Sequence, residues 1–552
     1  MCADQPLFRR RSDCSLLTPD GIRLQASLWR PLGEGPWPAL LMRQPYGRAI
    51  ASTVTLAHPQ WWSEQGFLVM VQDVRGQGES EGHFGGFGQE AADTATTLRW
   101  LRSHPNCNGR IGLYGFSYQG FTQLVADEGT EPPDCLAPAM TGLDEREHWS
   151  CEGGAHWWHL GLGWGLQLAA LQAARRGDRQ GWKTIRQSLE SGRYLGEGLS
   201  LLEEHDPHGM ALRWFQSDPE ERHVWPRHTA PRDWLAQPML IIGGWWDPHL
   251  RGCLNLMERS LAAGGQPELH IGPATHLQWW PAVQELHRRF FQRHLQEQTG
   301  VCNASAPKEP RLQLWDQRLE RWSGCQNPAP QGGHWQLEGT GLSCHDPLAG
   351  RLLPQTGQRN DANRSDVEPA NANASMVVLG HDPWRPAPAV GGHLSPTPGP
   401  CERGSQDARS DVATFTSLPL QEDCLLRGFP VLELNAWADQ EGFDLCAALS
   451  VIPVASEAVQ QLSTGVLRQR GEQALQPKTL RVQLQPLEAE LQVGDRLRIS
   501  LAGAAWPAIA INPGHTNSAC GAPDPHCRVI SIAIDVAGAS LRFAPLLFPP
   551  LP

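Results

Sequence analysis

The chain is predicted to fold as an α/β core on a parallel sheet, interrupted by a helical insertion and followed by an all-β sandwich. Three changes of texture along the 552 residues predict it. Over 1–144, and again over 234–300, short apolar runs without polar alternation, as buried parallel strands require, alternate with helical patterns. Over 145–233 helical spacing takes over, with Leu160, Trp164, Leu168 and Leu171 recurring in step and Leu199, Leu202 and Trp214 more loosely. Over 309–552 short runs such as Leu312–Trp315, Val431–Leu434, Leu445–Val451, Leu480–Leu484, Arg496–Leu501 and Val529–Ile534 are separated by turn-rich stretches, as in an antiparallel sandwich. A chain of this length exceeds one hydrophobic core, so two or three domains are expected.

The core opens with a hairpin around Asp20-Gly21. Pro38–Met42 reads as a buried strand running into Arg43-Gln44-Pro45-Tyr46-Gly47-Arg48, and Phe67–Val71 as another ending in Gln72-Asp73-Val74-Arg75-Gly76-Gln77-Gly78-Glu79-Ser80. Asp73 and Arg75 read as a structural charge pair anchoring that loop. Next, Ile111–Tyr114 meets Gly115-Phe116-Ser117-Tyr118-Gln119-Gly120, a strand ending in a sharp turn that holds up a serine. Such a nucleophile elbow needs small flanking residues, because side chains there would strike the strand or the helix that follows. The second glycine falls three residues after Ser117 instead of the usual two. Phe121, Thr122, Leu124 and Val125 can continue as the helix, whose first amides would sit beside the serine oxygen.

An α/β-hydrolase carries its triad in the order serine, acid, histidine, each at a strand end. Downstream, Pro238–Gly244 is a short apolar run ending at Trp245-Trp246-Asp247, and Glu268–Pro273 a second ending at Ala274-Thr275-His276. The roles follow: Ser117 attacks an acyl carbonyl, His276 takes its proton and returns it to the leaving group, and Asp247 fixes the imidazole. Asp247 also reads as a turn residue before Pro248, with Asp144 the alternative acid. His270 lies within its strand and reads as a packed core histidine, whereas His249 and Trp246, beside the acid, are placed to line the pocket. An amphipathic helix with Val283, Leu286, Phe290 and Leu295 closes the core.

Through these motifs the chain resembles the CocE/NonD hydrolases, which include cocaine esterases, α-amino acid ester hydrolases, glutaryl acylases and X-prolyl dipeptidyl aminopeptidases. The resemblance rests on R-Q-P-Y-G-R, D-V-R-G-Q-G-E-S, G-F-S-Y-Q-G, G-W-W-D and G-P-A-T-H in family order. It continues through His381–Pro388 with Gly391-Gly392, Phe415–Leu420 and Asp444–Leu449 in the C-terminal half. The resemblance implies a helical cap over the serine and a C-terminal jelly-roll. It also implies an oxyanion hole made by the Tyr46 hydroxyl and the backbone amide of Tyr118. Only four tyrosines occur in the chain, and two stand in these motifs. By the same resemblance Trp149, Trp157, Trp158 and Trp164 become pocket walls, the alternative being that they pack cap helices on one another. Within the family, ester hydrolases of α-amino acids place carboxylates just after the catalytic acid, where this chain has Pro248-His249-Leu250. X-prolyl peptidases carry a sizeable N-terminal domain, whereas this sequence begins almost at the first hairpin. The esterase or acylase branch is therefore expected, with X-Pro dipeptidyl-peptidase activity the alternative and a non-catalytic binding module a third reading that the intact Ser117, Asp247, His276 and Tyr46 oppose.

Composition agrees with a soluble enzyme: 40% hydrophobic and 19% charged residues are globular values, and a net charge of −12 favours solubility. The expected partner, a small ester or amide substrate, is what the resemblance implies. No Lys/Arg run or basic aromatic stripe suggests nucleic acid, and no stretch of about 18 apolar residues suggests a membrane span. Residues 1–11 show charge without an apolar segment behind it, unlike a secretory signal. Fourteen cysteines without C-x-x-C spacing argue against a zinc site and are compatible with a cytoplasmic location, Cys520 and Cys527 being the one pair to check for a bridge. No cofactor or metal is expected, and homo-oligomers are compatible with the sequence. The C-terminal sandwich reads as a scaffold closing one side of the site, joined through a short linker at 303–308 and carrying a long loop over 355–373. A carbohydrate-binding role is its alternative.

Overall fold

The computed structural model describes residues 11–50, 55–297, 311–325, 329–355, 375–515 and 521–547. The core sheet is built from β1 (Arg11–Leu17), β2 (Arg23–Trp29), β3 (Trp37–Gln44), β4 (Leu68–Asp73), β5 (Cys107–Phe116) and β6 (Cys135–Ala139). After a small cap hairpin, β7 (Cys151–Glu152) and β8 (Ala155–His156), it continues with β9 (Leu240–Trp246), β10 (Glu268–Thr275), β11 (Leu312–Asp316) and β12 (Arg321–Gly324). Its order is β1-β2-β4-β3-β5-β6-β9-β10-β11-β12, with every pair from β4 to β11 parallel. Parallel strands covered on both faces are buried throughout, and β4 and β6 have no exposed position. The helices α1 (Pro59–Glu64), α2 (Glu90–Arg102) and α3 (Tyr118–Phe121) lie within this part.

The cap consists of α4 (Trp158–Arg176), α5 (Arg179–Ser191), α6 (Tyr194–His205) and α7 (Met210–Gln216), and the chain returns through α8 (Arg232–Leu235) to the sheet. The helix α4 carries two apolar stripes. Trp158, Leu162, Leu166 and Ala169, spaced four, four and three apart, form the cap's own core with Ile185, Leu202 and Leu212. Leu160, Trp164 and Gln167 lie on the other stripe and face the serine side. After β9 comes α9 (Leu250–Ala262), and after β10 comes α10 (Val283–Phe291), whose Val283, Phe290 and Phe291 bury against the sheet.

The strands β11 and β12 depart from the expectation that everything after 309 belongs to the sandwich. Leu312–Leu314 pair in parallel with Leu269–Ile271 of β10, so this hairpin ends the core sheet. Alternation in Leu312–Trp315 reads equally as a sandwich strand, and only the pairing partner separates the two. The all-β domain then comprises β13 (His334–Glu338), β14 (Gly350–Pro354), β15 (Met376–His381), β16 (Val412–Ser417), β17 (Cys424–Ala438), β18 (Gly442–Ile452), β19 (Gln460–Arg470), β20 (Lys478–Gln483), β21 (Leu487–Leu491), β22 (Arg496–Ala502) and β23 (Ile530–Ala544). These form one eleven-stranded, nearly closed sheet around a separate core centred on Leu445, Leu449, Leu497, Ile499 and Ile532. The linker at 303–308, the loop at 355–373 apart from residue 355, and Cys520 lie outside the described residues. Among the described residues no helix is long and apolar enough to cross a membrane.

Several histidines are enclosed as neutral rings. His156, bonded to the carbonyls of Trp214 and Ser217, and the core residues His270 and His287 are all pushed down from 6.5 to about 4, chiefly by burial. Between pH 4 and 6.5 the unfolded chain holds protons at these sites that the folded chain does not. Their contribution is therefore complete above pH 6.5 and is lost as the pH falls toward 4, each adding a slope of about 1.4 kcal/mol per pH unit. The urea midpoint is expected to drop steeply between pH 7 and pH 5, and a flat midpoint over that range would remove these rings from the stability account.

Candidate active site

The elbow is strained in the backbone itself. Ser117 sits at φ 59°, ψ −128°, between the end of β5 and the first turn of α3. A non-glycine residue held there costs of order 1–3 kcal/mol, which the packing on both sides must impose. Gly115 has φ +140°, and a Cβ on it would lie 2.5 Å from the Gln119 Cβ. Gly120 explains the displaced second glycine: a Cβ there would meet Thr141 Cβ at 2.8 Å and the Ala139 carbonyl at 3.0 Å, where α3 rests on the end of β6. The Ser117 amide donates to that same Ala139 carbonyl at 2.9 Å, while the Gly120 and Phe121 amides return to Ser117 O. As the first residue of the turn, Tyr118 has no intrahelical partner for its own amide.

Beneath the elbow lies a buried polar support. The Tyr118 hydroxyl donates to Glu90 Oε1 at 2.8 Å, and Glu90 pairs with Arg43 at 2.9 Å. Burial raises the Glu90 carboxyl, and the Arg43 guanidinium opposes that. Arg43 also donates to Gln72 and Thr94. Thus the first arginine of the R-Q-P-Y-G-R segment holds the elbow from below, while the second, Arg48, pairs with Asp73 at 2.7 Å and with Glu79. Asp73 and Arg75 do not pair with each other as expected: Arg75 turns to Asp93 and Asp20. Their common loop separates the two side chains, since Asp73 closes β4 and Arg75 lies beyond it.

Asp247 and His276 meet across neighbouring strands. His276 Nδ1 lies 2.6 Å from Asp247 Oδ2. Asp247 is fully buried, its Oδ1 accepts the His249 amide at 2.9 Å, and its backbone carbonyl accepts Gln485 Nε2 of the all-β domain at 2.9 Å. Ser117 and His276 line one cavity but share no direct hydrogen bond. The polar neighbour of the Ser117 side chain is instead the Tyr46 hydroxyl, which also accepts Trp164 Nε1 at 3.1 Å. Burial pushes the Tyr46 phenol up to about 12, against the smaller pull of the Trp164 and Ser117 hydrogen bonds, so it stays a neutral donor. The alternative acid, Asp144, lies elsewhere: its Oδ1 accepts the Arg146 and Glu147 amides, and its Oδ2 pairs with Arg227 at 3.2 Å.

The cavity above these groups encloses about 550 Å³ and is walled by core and cap together. Trp149, Trp157, Trp164 and His249 line it. Trp158 and Trp246 do not. Trp158 lies on the cap-core stripe of α4, edge-on to Phe215 with its indole N–H on the Leu195 carbonyl at 2.9 Å. Trp246, the last residue of β9, packs against the large core cluster instead. Sequence reasoning passed over Leu160 and Gln167, which the helical spacing to Trp164 reveals, and over Leu189 and Tyr194, which only the folding back of α5 and α6 brings in. None of the described lining residues is Asp, Glu, Lys or Arg. Among the described residues no group of three or more His, Cys, Asp or Glu is arranged to hold a metal ion.

Comparison with known proteins follows the same two-part division. The description "X-Pro dipeptidyl-peptidase (S15 family)" matches residues 20–278, and "X-Pro dipeptidyl-peptidase C-terminal non-catalytic domain" matches 305–532. The cocaine esterase of Rhodococcus sp. (strain MB1 Bresler) is 26% identical over 499 residues, covering 84% of this chain and 83% of its own. Among solved structures, an aminopeptidase from a marine sediment Thaumarchaeota archaeon superposes with a TM-score of 0.69 at 18% identity, covering 98% of each chain. A CocE/NonD family hydrolase from Staphylococcus aureus gives 0.64 at 15% identity, covering 96% of this chain and 92% of that one. At such identities the structural likenesses speak to the fold alone. A parallel-sheet core with its serine elbow, a helical cap and a fused all-β domain define a hydrolase of the α/β class. More narrowly, the chain joins an S15-family domain over 20–278 to a C-terminal domain of the X-Pro dipeptidyl-peptidase type over 305–532, and it is similar to a cocaine esterase across both.

Proposed function

We propose that the protein is a serine hydrolase that cleaves a neutral ester or amide with a bulky or aromatic acyl group through an acyl-enzyme. The observation that carries this reading is the strained Ser117, raised at a strand end into a cavity that His276 and Tyr46 also line, with Asp247 bonded behind the imidazole. In the first half-reaction Ser117 Oγ attacks the carbonyl as His276 Nε2 takes its proton. The imidazolium is steadied by Asp247 and then protonates the leaving group. In the second half-reaction water attacks the acyl-serine by the same proton path, and the acid leaves. The Tyr46 hydroxyl and the Tyr118 amide are the donors for the tetrahedral oxygen.

The uncharged lining supports the esterase or acylase reading over the aminopeptidase one. An X-Pro dipeptide presents an α-ammonium, and desolvating that cation without a carboxylate is costly. The described walls supply none, and offer indoles and neutral polar groups instead. A fluorophosphonate probe, with the adduct mapped by peptide mass spectrometry, tests the reading. A single adduct on Ser117 is expected, and an adduct elsewhere, or none, overturns it. On the same preparation kcat/KM for p-nitrophenyl benzoate should exceed that for X-Pro p-nitroanilides, and the reverse order would hand the site to peptide substrates.

Tyr46→Phe is expected to lower kcat by about 10²–10³ with little change in KM, since the hydroxyl serves the charged oxygen formed only during reaction. The ring and its cavity contacts remain, so the thermal midpoint should hold. Unchanged turnover would take Tyr46 out of the mechanism.

A further inference from the structure

We infer that His249 is a fixed hydrogen-bond acceptor in the acyl cavity, and that the acyl group of the natural substrate carries a hydroxyl or N–H donor that meets it. The inference rests on the serine-hydrolase reading above and adds a polar feature to its substrate.

One contact and the burial of the ring determine which nitrogen is available. His249 Nδ1 lies 2.6 Å from the His148 carbonyl, which can only accept, so Nδ1 carries the proton. Burial holds the ring neutral, pushing it down to about 4, with the neighbouring His276 helping and Asp247 opposing. A neutral ring protonated at Nδ1 presents a bare lone pair at Nε2. That nitrogen has no hydrogen-bond partner among the described residues, and it is not among the sealed polar atoms that lack one. It therefore opens on the cavity that His249 lines together with Ser117 and His276.

The ring is also held in place. Its backbone amide is tied to Asp247 Oδ1 at 2.9 Å, and it packs against Trp149 at 4.5 Å and Trp157 at 5.7 Å between ring centroids. His276 is the next ring, at 4.9 Å, which places the acceptor beside the reacting carbonyl. The Nδ1 bond accounts for the orientation of the ring, and the stacking would be served by any aromatic residue. Neither uses Nε2. An acceptor fixed in an aromatic wall discriminates against acyl groups that bring no donor, because they leave it dry and unpaired.

The test compares p-nitrophenyl 2-, 3- and 4-hydroxybenzoates with the corresponding methoxybenzoates, which keep an oxygen at the same position but lack the proton. In the wild-type protein the hydroxy/methoxy ratio of kcat/KM should reach about ten or more for at least one isomer. In His249→Phe, which keeps an aromatic ring between the tryptophans, that ratio should fall to about one. In His249→Gln, whose amide oxygen can accept, it should recover in part. A wild-type ratio near one for all three isomers overturns the inference, as does a ratio that His249→Phe leaves unchanged. If His249→Phe fails to fold, the wild-type and His249→Gln ratios still decide. Fluorophosphonate labelling of the same samples separates the two levels: Ser117 labelled with a ratio near one rejects the His249 inference alone, whereas turnover without labelling at Ser117 rejects the serine-hydrolase reading and this inference with it.

Discussion

Ser117→Ala is expected to lower kcat by about a million-fold, down to the background that binding and oxyanion donors supply alone. The size of the loss follows from the unit nature of the site: without Oγ the Asp247–His276 pair has no nucleophile to serve, so its contribution vanishes with the hydroxyl. Stability should barely respond. Alanine at φ 59°, ψ −128° bears the same backbone strain as serine, and the removed hydroxyl leaves only the Tyr46 neighbour behind. Ser117→Gly sharpens the test, because glycine occupies that region freely. It should be equally inactive yet more stable, by about 1 kcal/mol or more in chemical denaturation. Retention of more than one part in a thousand of wild-type turnover in Ser117→Ala, after purification away from host esterases, would place the nucleophile elsewhere.

Much of this site is legible in the sequence because strand ends are short-range features. The apolar runs before Ser117, Asp247 and His276 announce buried strands, and the parallel sheet brings the ends of β5, β9 and β10 to the same edge. The displaced glycine is harder to read, since what it must avoid, Thr141 and the Ala139 carbonyl, stands on the next strand. Side chains whose roles depend on distant partners are not legible at all. Nothing in the local sequence says that Gln485, 238 residues away, donates to the Asp247 carbonyl. Nor does it say that Arg48, not Arg75, is the partner of Asp73. The tryptophans show the limit most plainly: Trp157 and Trp158 are neighbours in sequence, but Trp157 precedes α4 in extended backbone and lines the cavity, whereas Trp158 opens the helix and enters the cap core. The periodicity of Trp158, Leu162, Leu166 and Ala169 contains that answer, provided both stripes of α4 are read and not one. The β11–β12 hairpin is ambiguous for a different reason, because alternation reports burial on one face and is silent about which sheet supplies it.

Asp247→Asn is expected to cost about 10⁴ in kcat while leaving the fold and KM nearly intact. The direction of the damage is set by the contacts already made. The His249 amide donates to Oδ1 at 2.9 Å, so an asparagine keeps its carbonyl oxygen there and must turn its NH2 toward His276 Nδ1, 2.6 Å from the present Oδ2. A donor in that position forces the imidazole proton from Nδ1 to Nε2. The nitrogen that should take the Ser117 proton is then occupied, and the imidazolium loses its buried countercharge as well. Because Asp247 is fully enclosed and braced through its carbonyl by Gln485, little relaxation is available to restore the tautomer. Binding of a neutral ester does not use this carboxylate, so the loss belongs in kcat. Asp144→Asn serves as the control, since Asp144 meets Arg227 and two backbone amides away from the imidazole, and its kcat should stay within about threefold of wild type, inside the range of ordinary surface substitutions. A loss below a hundredfold in Asp247→Asn, or a larger one in Asp144→Asn, would assign the orienting carboxylate to the other residue.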